Sequence, residues 1–238
     1  MLQSDLRATV GERLRALVAY EAHGVFGEPG AGGPDATELR HPDRVHTLAV
    51  VDDLGAGDLA RLAPLAGRWT KHGLAVPLLL GPTELARSFE AFPLELGQIL
   101  ARHEVIVGDD PFRGCAVDAE DLRRACETQV RSHLIHLREG FLEAGGSPHK
   151  IAALVAASVV PLHAVLVSIA RLYGADASTP ADLSRFVEER LRLPANGIRP
   201  LLSGSPARHL ETTDAGALFP AYLQAVERLA QVVDEWTR

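Results

Sequence analysis

Apolar positions near the start of the chain recur with a helical period. Leu6, Val10, Leu14 and Leu17 share one helical face, Ser4 is placed as the N-cap, and residues 17–20 read as a short strand. Residues 24–42 are crowded with glycine and proline and read as a loop. The apolar run 46–51, ending at Asp52-Asp53, predicts a strand. Asp58 can cap a helix carrying Leu59, Leu62, Leu65 and Trp69, with Pro64 marking a kink or late start and Gly73 the stop. Residues 76–80 predict a strand, and Thr83 can cap a short helix through Ser88. Residues 92–96 alternate weakly, and 104–107 read as a further strand before the turn Gly108-Asp109-Asp110-Pro111. Strands interleaved with helices predict a small α/β domain with a mixed sheet over residues 1–114.

From Asp118 onward the period is helical. Asp118 can cap a helix whose Leu122, Cys126, Val130, Leu134, Leu137 and Phe141 form one stripe, closed by Gly145-Gly146. Ser147-Pro148 and Thr179-Pro180 each supply a capping hydroxyl followed by proline at the first helical position. The first of these helices is expected to run to about Tyr173 with a kink at Pro161, the second to end near Leu193. Asp214 can cap a last helix carrying Leu218, Leu223, Val226, Leu229 and Val233. An all-α helical bundle is therefore expected over residues 115–238.

The most apolar stretch, residues 151–172, is interrupted by Ser158, Pro161, His163, Ser168 and Arg171. Spanning a bilayer takes about 20 consecutive apolar residues, so this pattern predicts a buried bundle helix and no membrane partner. The chain has 238 residues, 47% hydrophobic and 23% charged, which excludes wholesale disorder. Its net charge of −7 argues against nucleic acid as partner. Only Lys71 and Lys150 are lysines, so arginine supplies nearly all of the positive charge. Two cysteines, Cys115 and Cys126, make no disulfide framework, and residues 1–8 carry no leader-like apolar run, so a cytoplasmic location is expected.

Several stretches, in order, carry a family resemblance. They are Leu48-Ala49-Val50-Val51-Asp52-Asp53-Leu54, Leu62-Ala63-Pro64-Leu65 through Trp69, Pro77-Leu78-Leu79-Leu80 with Thr83-Glu84-Leu85, Phe92-Pro93-Leu94-Glu95, and Arg102-His103-Glu104-Val105 with Gly108. Over residues 10–145 the chain resembles bacterial proteins of the nucleotidyltransferase fold, of the minimal and kanamycin-nucleotidyltransferase kinds. The resemblance implies an α/β domain with a bundle behind it. It also implies a Gly-Ser turn that admits a nucleoside triphosphate, an Asp-x-Asp pair on one strand face that holds two Mg²⁺ ions, and a third carboxylate on a neighbouring strand.

This chain departs from that pattern. Tyr20-Glu21-Ala22-His23-Gly24 stands where the Gly-Ser turn belongs, and Arg44-Val45-His46 stands where the carboxylate pair belongs. A guanidinium and an imidazole do not replace the hard oxygen ligands of Mg²⁺. Glu95, at the third position, is the one surviving carboxylate, a relic that can pair with Arg44 in place of a metal. The expectation is a catalytically degenerate protein with no metal site, whose partner is an unidentified small molecule, another protein or a second copy of itself. Mg²⁺ and a nucleoside triphosphate enter only under the alternative, an active enzyme that transfers a nucleoside monophosphate to a hydroxyl.

Other groups invite chemistry and have plainer readings. Asp52 and Asp53 are adjacent, so a regular strand would point them to opposite faces; their position suits a turn. The glycines of residues 27–33 lack the spacing of a phosphate-binding loop. His133, His136 and Cys126 lie near one another on one predicted helix without a zinc-site spacing. Arg131 and His136 match the loose Arg-x-x-x-x-His pattern of HEPN ribonucleases, a second alternative in which the bundle is a toxin–antitoxin-type interaction module.

Overall fold

The computed structural model describes residues 1–20, 44–175, 177, 179–202 and 212–236. It divides into two compact units between Asp118 and Ala119.

The first unit is α/β. Helix α1 (Leu2–Val10) buries Leu2, Leu6 and Val10 on one face. The expected continuation through Leu14 and Leu17 does not occur, and Ser4 lies within the helix, which begins after Met1. Gly11, at φ 61°, turns the backbone left-handed, and after one 3₁₀ turn the chain enters strand β1 (Leu14–Tyr20). β1 pairs antiparallel with β2 (His46–Val51) and with β4 (His103–Gly108), while β2 pairs parallel with β3 (Leu78–Leu80). The sheet order is β3-β2-β1-β4. At the end of β4, Gly108 has φ 77°, and a Cβ there would stand 1.9 Å from the carbonyl oxygen of Arg15. Only glycine lets β1 and β4 approach so closely.

Helices α2 (Ala56–Leu62) and α3 (Ala66–Lys71) are separated by a 3₁₀ turn at Ala63–Leu65, the break that Pro64 forecasts. Leu14, Leu17, Ala49, Val51 and Val107 of the sheet bury against Leu2, Leu6, Val10, Leu62 and Trp69. Val18 and Leu48, fully buried, belong to the opposite face, and α4 (Pro82–Ala91) lies against β2 and packs on α5 (Pro93–Ala101). Both central strands are thus buried on two sides, which is why β2 reads as an unbroken apolar run. The expected caps move by a few residues. Gly55 and Gly81 are the N-caps, and Asp58 and Glu84, each in its helix's first turn, accept from their backbone N–H groups at 3.0 and 2.7 Å. The weakly alternating residues 92–96 are not a strand: Pro93 opens α5.

The second unit is helical: α6 (Ala119–Ala144), α7 (Pro148–Leu172), α8 (Pro180–Glu189), α9 (Ala195–Leu202) and α10 (Thr212–Glu235). Helices α6, α7 and α10 pack on one another, and α9 packs on α10. Positive φ at Gly145 and Gly146 ends α6, and Pro148 opens α7. Thr179 caps α8 by accepting from the Asp182 N–H at 3.1 Å. Helix α8 stops at Glu189 rather than near Leu193, and α9 is an element that periodicity did not forecast. Helix α10 starts at Thr212, two residues before the expected cap Asp214. Helix α7 is long and apolar enough to cross a membrane, but 56% of its most apolar window is buried inside the protein. It is a core helix against α6, α8, α9 and α10.

Candidate functional site

The positions where the resemblance would put a metal pair lie at one end of the sheet. Val45 is fixed by its N–H to the Gly73 carbonyl at 2.9 Å and its carbonyl to the Ala75 N–H at 3.0 Å. This short parallel bridge precedes β2 and places Arg44 and His46 on either side of Val45. His46 stands opposite Tyr20, the last residue of β1, with ring centroids 5.8 Å apart. Burial pushes the Tyr20 phenol well above its ordinary range, so it stays protonated. The set comprises a guanidinium, an imidazole and a neutral phenol. Among the described residues these three side chains supply hydrogen-bond donors, which suit an anion, and no carboxylate, which a cation would need. The Gly-Ser position at Glu21-Ala22 and the glycines of residues 27–33 lie outside the described residues.

Glu95 is in the first turn of α5, not on a strand beside β2. It is half-buried, and desolvation raises its carboxyl above the usual range. A hydrogen bond from its own backbone N–H is the smaller, opposing effect. The ion pair expected with Arg44 does not form among the described residues.

At the β2–α2 corner Asp58 and Asp52 are committed to arginines. Asp58, almost fully buried, takes both prongs of Arg13 at 2.6 and 2.9 Å and Arg61 at 2.7 Å. The Arg13 hydrogen bond, followed by that from the Gly55 N–H, holds its carboxyl well below the usual range. Asp52 pairs with Arg15, and Asp53 turns left-handed at φ 46°. Arg13 also donates to the Asp53 carbonyl at 3.0 Å. These groups lock the β2–α2 corner, the turn role expected of Asp52-Asp53. Among the described residues, no group of three or more His, Cys, Asp or Glu side chains is arranged to hold a metal ion.

In the helical unit, Arg131 pairs with Glu127 at 3.1 Å and Asp234 at 2.6 Å, and His136 with Glu139 at 3.1 Å. Five residues on an α-helix turn through roughly 140°, so the two side chains leave α6 on different sides. Cys126 is fully buried and its thiol is pushed up to about 12. That is a packing residue rather than a nucleophile.

Periodicity alone missed a buried polar chain. His133, 4% exposed, takes the core position on α6 expected for Leu134; its Nε2 lies 2.8 Å from the hydroxyl of Tyr222, which is in turn 2.9 Å from Ser158 Oγ. The signal was present in the spacing. His133 is three residues after Val130 and four before Leu137, squarely on the buried stripe. No protein-family model matches the chain, and no curated protein matches it.

Proposed function

We propose that this chain is a nucleotidyltransferase-like protein that no longer transfers nucleotides and binds an anionic small molecule or a partner protein instead. The observation that carries this reading is the pairing of Arg44 and His46 on either side of Val45, where two carboxylates would be needed. Mg²⁺ requires several hard oxygen ligands. Neither residue supplies one, and Glu95 is raised toward its neutral form by burial. A second copy of the chain is one candidate partner. The free thiols Cys115 and Cys126 suit a reducing compartment such as the cytoplasm.

Calorimetric titration with ATP and Mg²⁺ tests the reading. Heat that is absent, or unchanged by Mg²⁺, is expected. Micromolar, Mg²⁺-dependent ATP binding would overturn it and favour the active enzyme. Arg44→Leu and His46→Leu should leave the fold intact and abolish binding of whichever anion the site selects. Inorganic phosphate and free nucleoside triphosphates are the first probes.

A further inference from the structure

His133, Tyr222 and Ser158 join three helices, α6, α10 and α7, and the function proposed above does not use them. Their hydrogen bonds can be given a direction. Ser158 has one hydroxyl proton, which it donates to the Val155 carbonyl at 2.7 Å. The 2.9 Å contact between Ser158 and Tyr222 must therefore use the Tyr222 proton. Tyr222 then has none left for His133, so the 2.8 Å contact there is a donation from Nε2–H of the imidazole to the phenol oxygen. The chain of donors runs one way, from His133 through Tyr222 and Ser158 to a backbone carbonyl, and it fixes the neutral imidazole as the Nε2–H tautomer.

We propose that this relay is an acid-sensitive latch, which holds α6, α7 and α10 together while His133 is neutral and opens the helical unit when His133 takes a second proton. A second proton would place a full charge and a new N–H donor in a site only 4% exposed. No acid among the described residues is placed to receive it. On α6 His136 opposes the charge, and Cys126 shares the buried face as a neutral thiol. On α10 the group at hand is the neutral phenol of Tyr222; Glu227 and Asp234 are turned to the exposed guanidinium groups of Arg138 and Arg131 at 2.7 and 2.6 Å. Helix α7 contributes Ser158 and, toward Cys126, the cation Arg171. Burial accordingly pushes the imidazole down to about 4.

The test compares the full-length chain with His133→Gln, whose amide N–H can still donate to Tyr222 but does not titrate. Hydrogen exchange of α6, α7 and α10 amides, corrected for the intrinsic pH dependence, reports the opened population. Between pH 7 and 4 it should rise about 100-fold more in the wild type than in His133→Gln, as follows from a folded value of about 4 against an unfolded one near 6.5. Equal rises would overturn the proposal. Should His133→Gln fail to fold, ¹⁵N spectra of the wild-type imidazoles decide instead. The neutral Nε2–H form of His133 at pH 6 is expected, and an imidazolium or the Nδ1–H form would overturn it.

Discussion

Asp58 in one unit and His133 in the other are both buried at a junction of elements, and the two units solve the problem in opposite ways. In the α/β unit Asp58 stays charged, clasped by Arg13 and Arg61 and by the Gly55 N–H. In the helical unit His133 stays neutral and donates a hydrogen bond into a row of hydroxyls. A charged solution needs its counterions within reach, and these come from the half-exposed arginines at the rim of the β2–α2 corner. A neutral solution can lie in the middle of a bundle, where no counterion reaches. The difference sets two separate acid limits. His133 is depressed in the folded state. Below an unfolded value of about 6.5 the unfolded chain binds a proton that the folded chain refuses, so stability falls between about pH 6.5 and 4. Asp58 is also depressed, but for an acid. Its contribution is intact above the unfolded value of about 3.9 and is lost only as pH drops below it.

The largest expected effect follows from that offset. On acidification the helical unit should lose up to about 3 kcal/mol before the α/β unit changes, since each tenfold difference in proton affinity between the folded and unfolded chain is worth about 1.36 kcal/mol. Hydrogen exchange resolved by unit checks the order; simultaneous loss, or loss of the α/β unit first, would break the comparison. Tyr222→Phe comes next. It strands the His133 N–H and takes the donor from Ser158, and should cost about 1–3 kcal/mol in urea unfolding, with no dependence on salt. Asp58→Asn should lower the Tm of the α/β unit by a few degrees, and by less at high salt, because its partners are exposed enough to be screened. The smallest effect is at Glu95. With no ion pair among the described residues to lose and burial opposing its charge, Glu95→Gln should change stability by less than about 1 kcal/mol, toward a gain at pH 7. A clear loss recovered by Arg44→Leu would restore the ion pair that the structure lacks.

Where local pattern and burial agree, the sequence was legible. Strand β2 spans the expected residues 46–51 because a strand buried on both faces reads as a continuous apolar run. Helices α6 and α7 were legible from period and from their Gly and Pro boundaries. Elsewhere a competing effect won. Leu14 and Leu17 keep the helical spacing of α1, but a single left-handed Gly11 moves them into the sheet. Pro93 opens a helix in a stretch whose alternation suggested a strand. Helix α9 is short, contains Pro200, and rests on a tertiary contact. A Cβ at Gly197 would lie 2.1 Å from the Ala221 carbonyl oxygen of α10, so only glycine permits the packing. His133 and Tyr222 displaced Leu134 and Leu223 from the expected core because each satisfies the other's polar atom, a pairing 89 residues apart that no local pattern records. At the candidate site, the position of Arg44 and His46 at the start of β2 was legible, whereas the placement of Glu95 on a helix was not.

The proposed function holds that the α/β unit performs no nucleotidyl transfer. Incubating the full-length chain with ATP labelled at the α-phosphate, Mg²⁺ and a panel of small-molecule and protein hydroxyl acceptors tests it most directly. No transferred label is expected, from the wild type or from Glu95→Gln. Label transferred by the wild type and abolished by Glu95→Gln, with the fold of the variant intact, would contradict the degenerate reading and make Glu95 a working carboxylate.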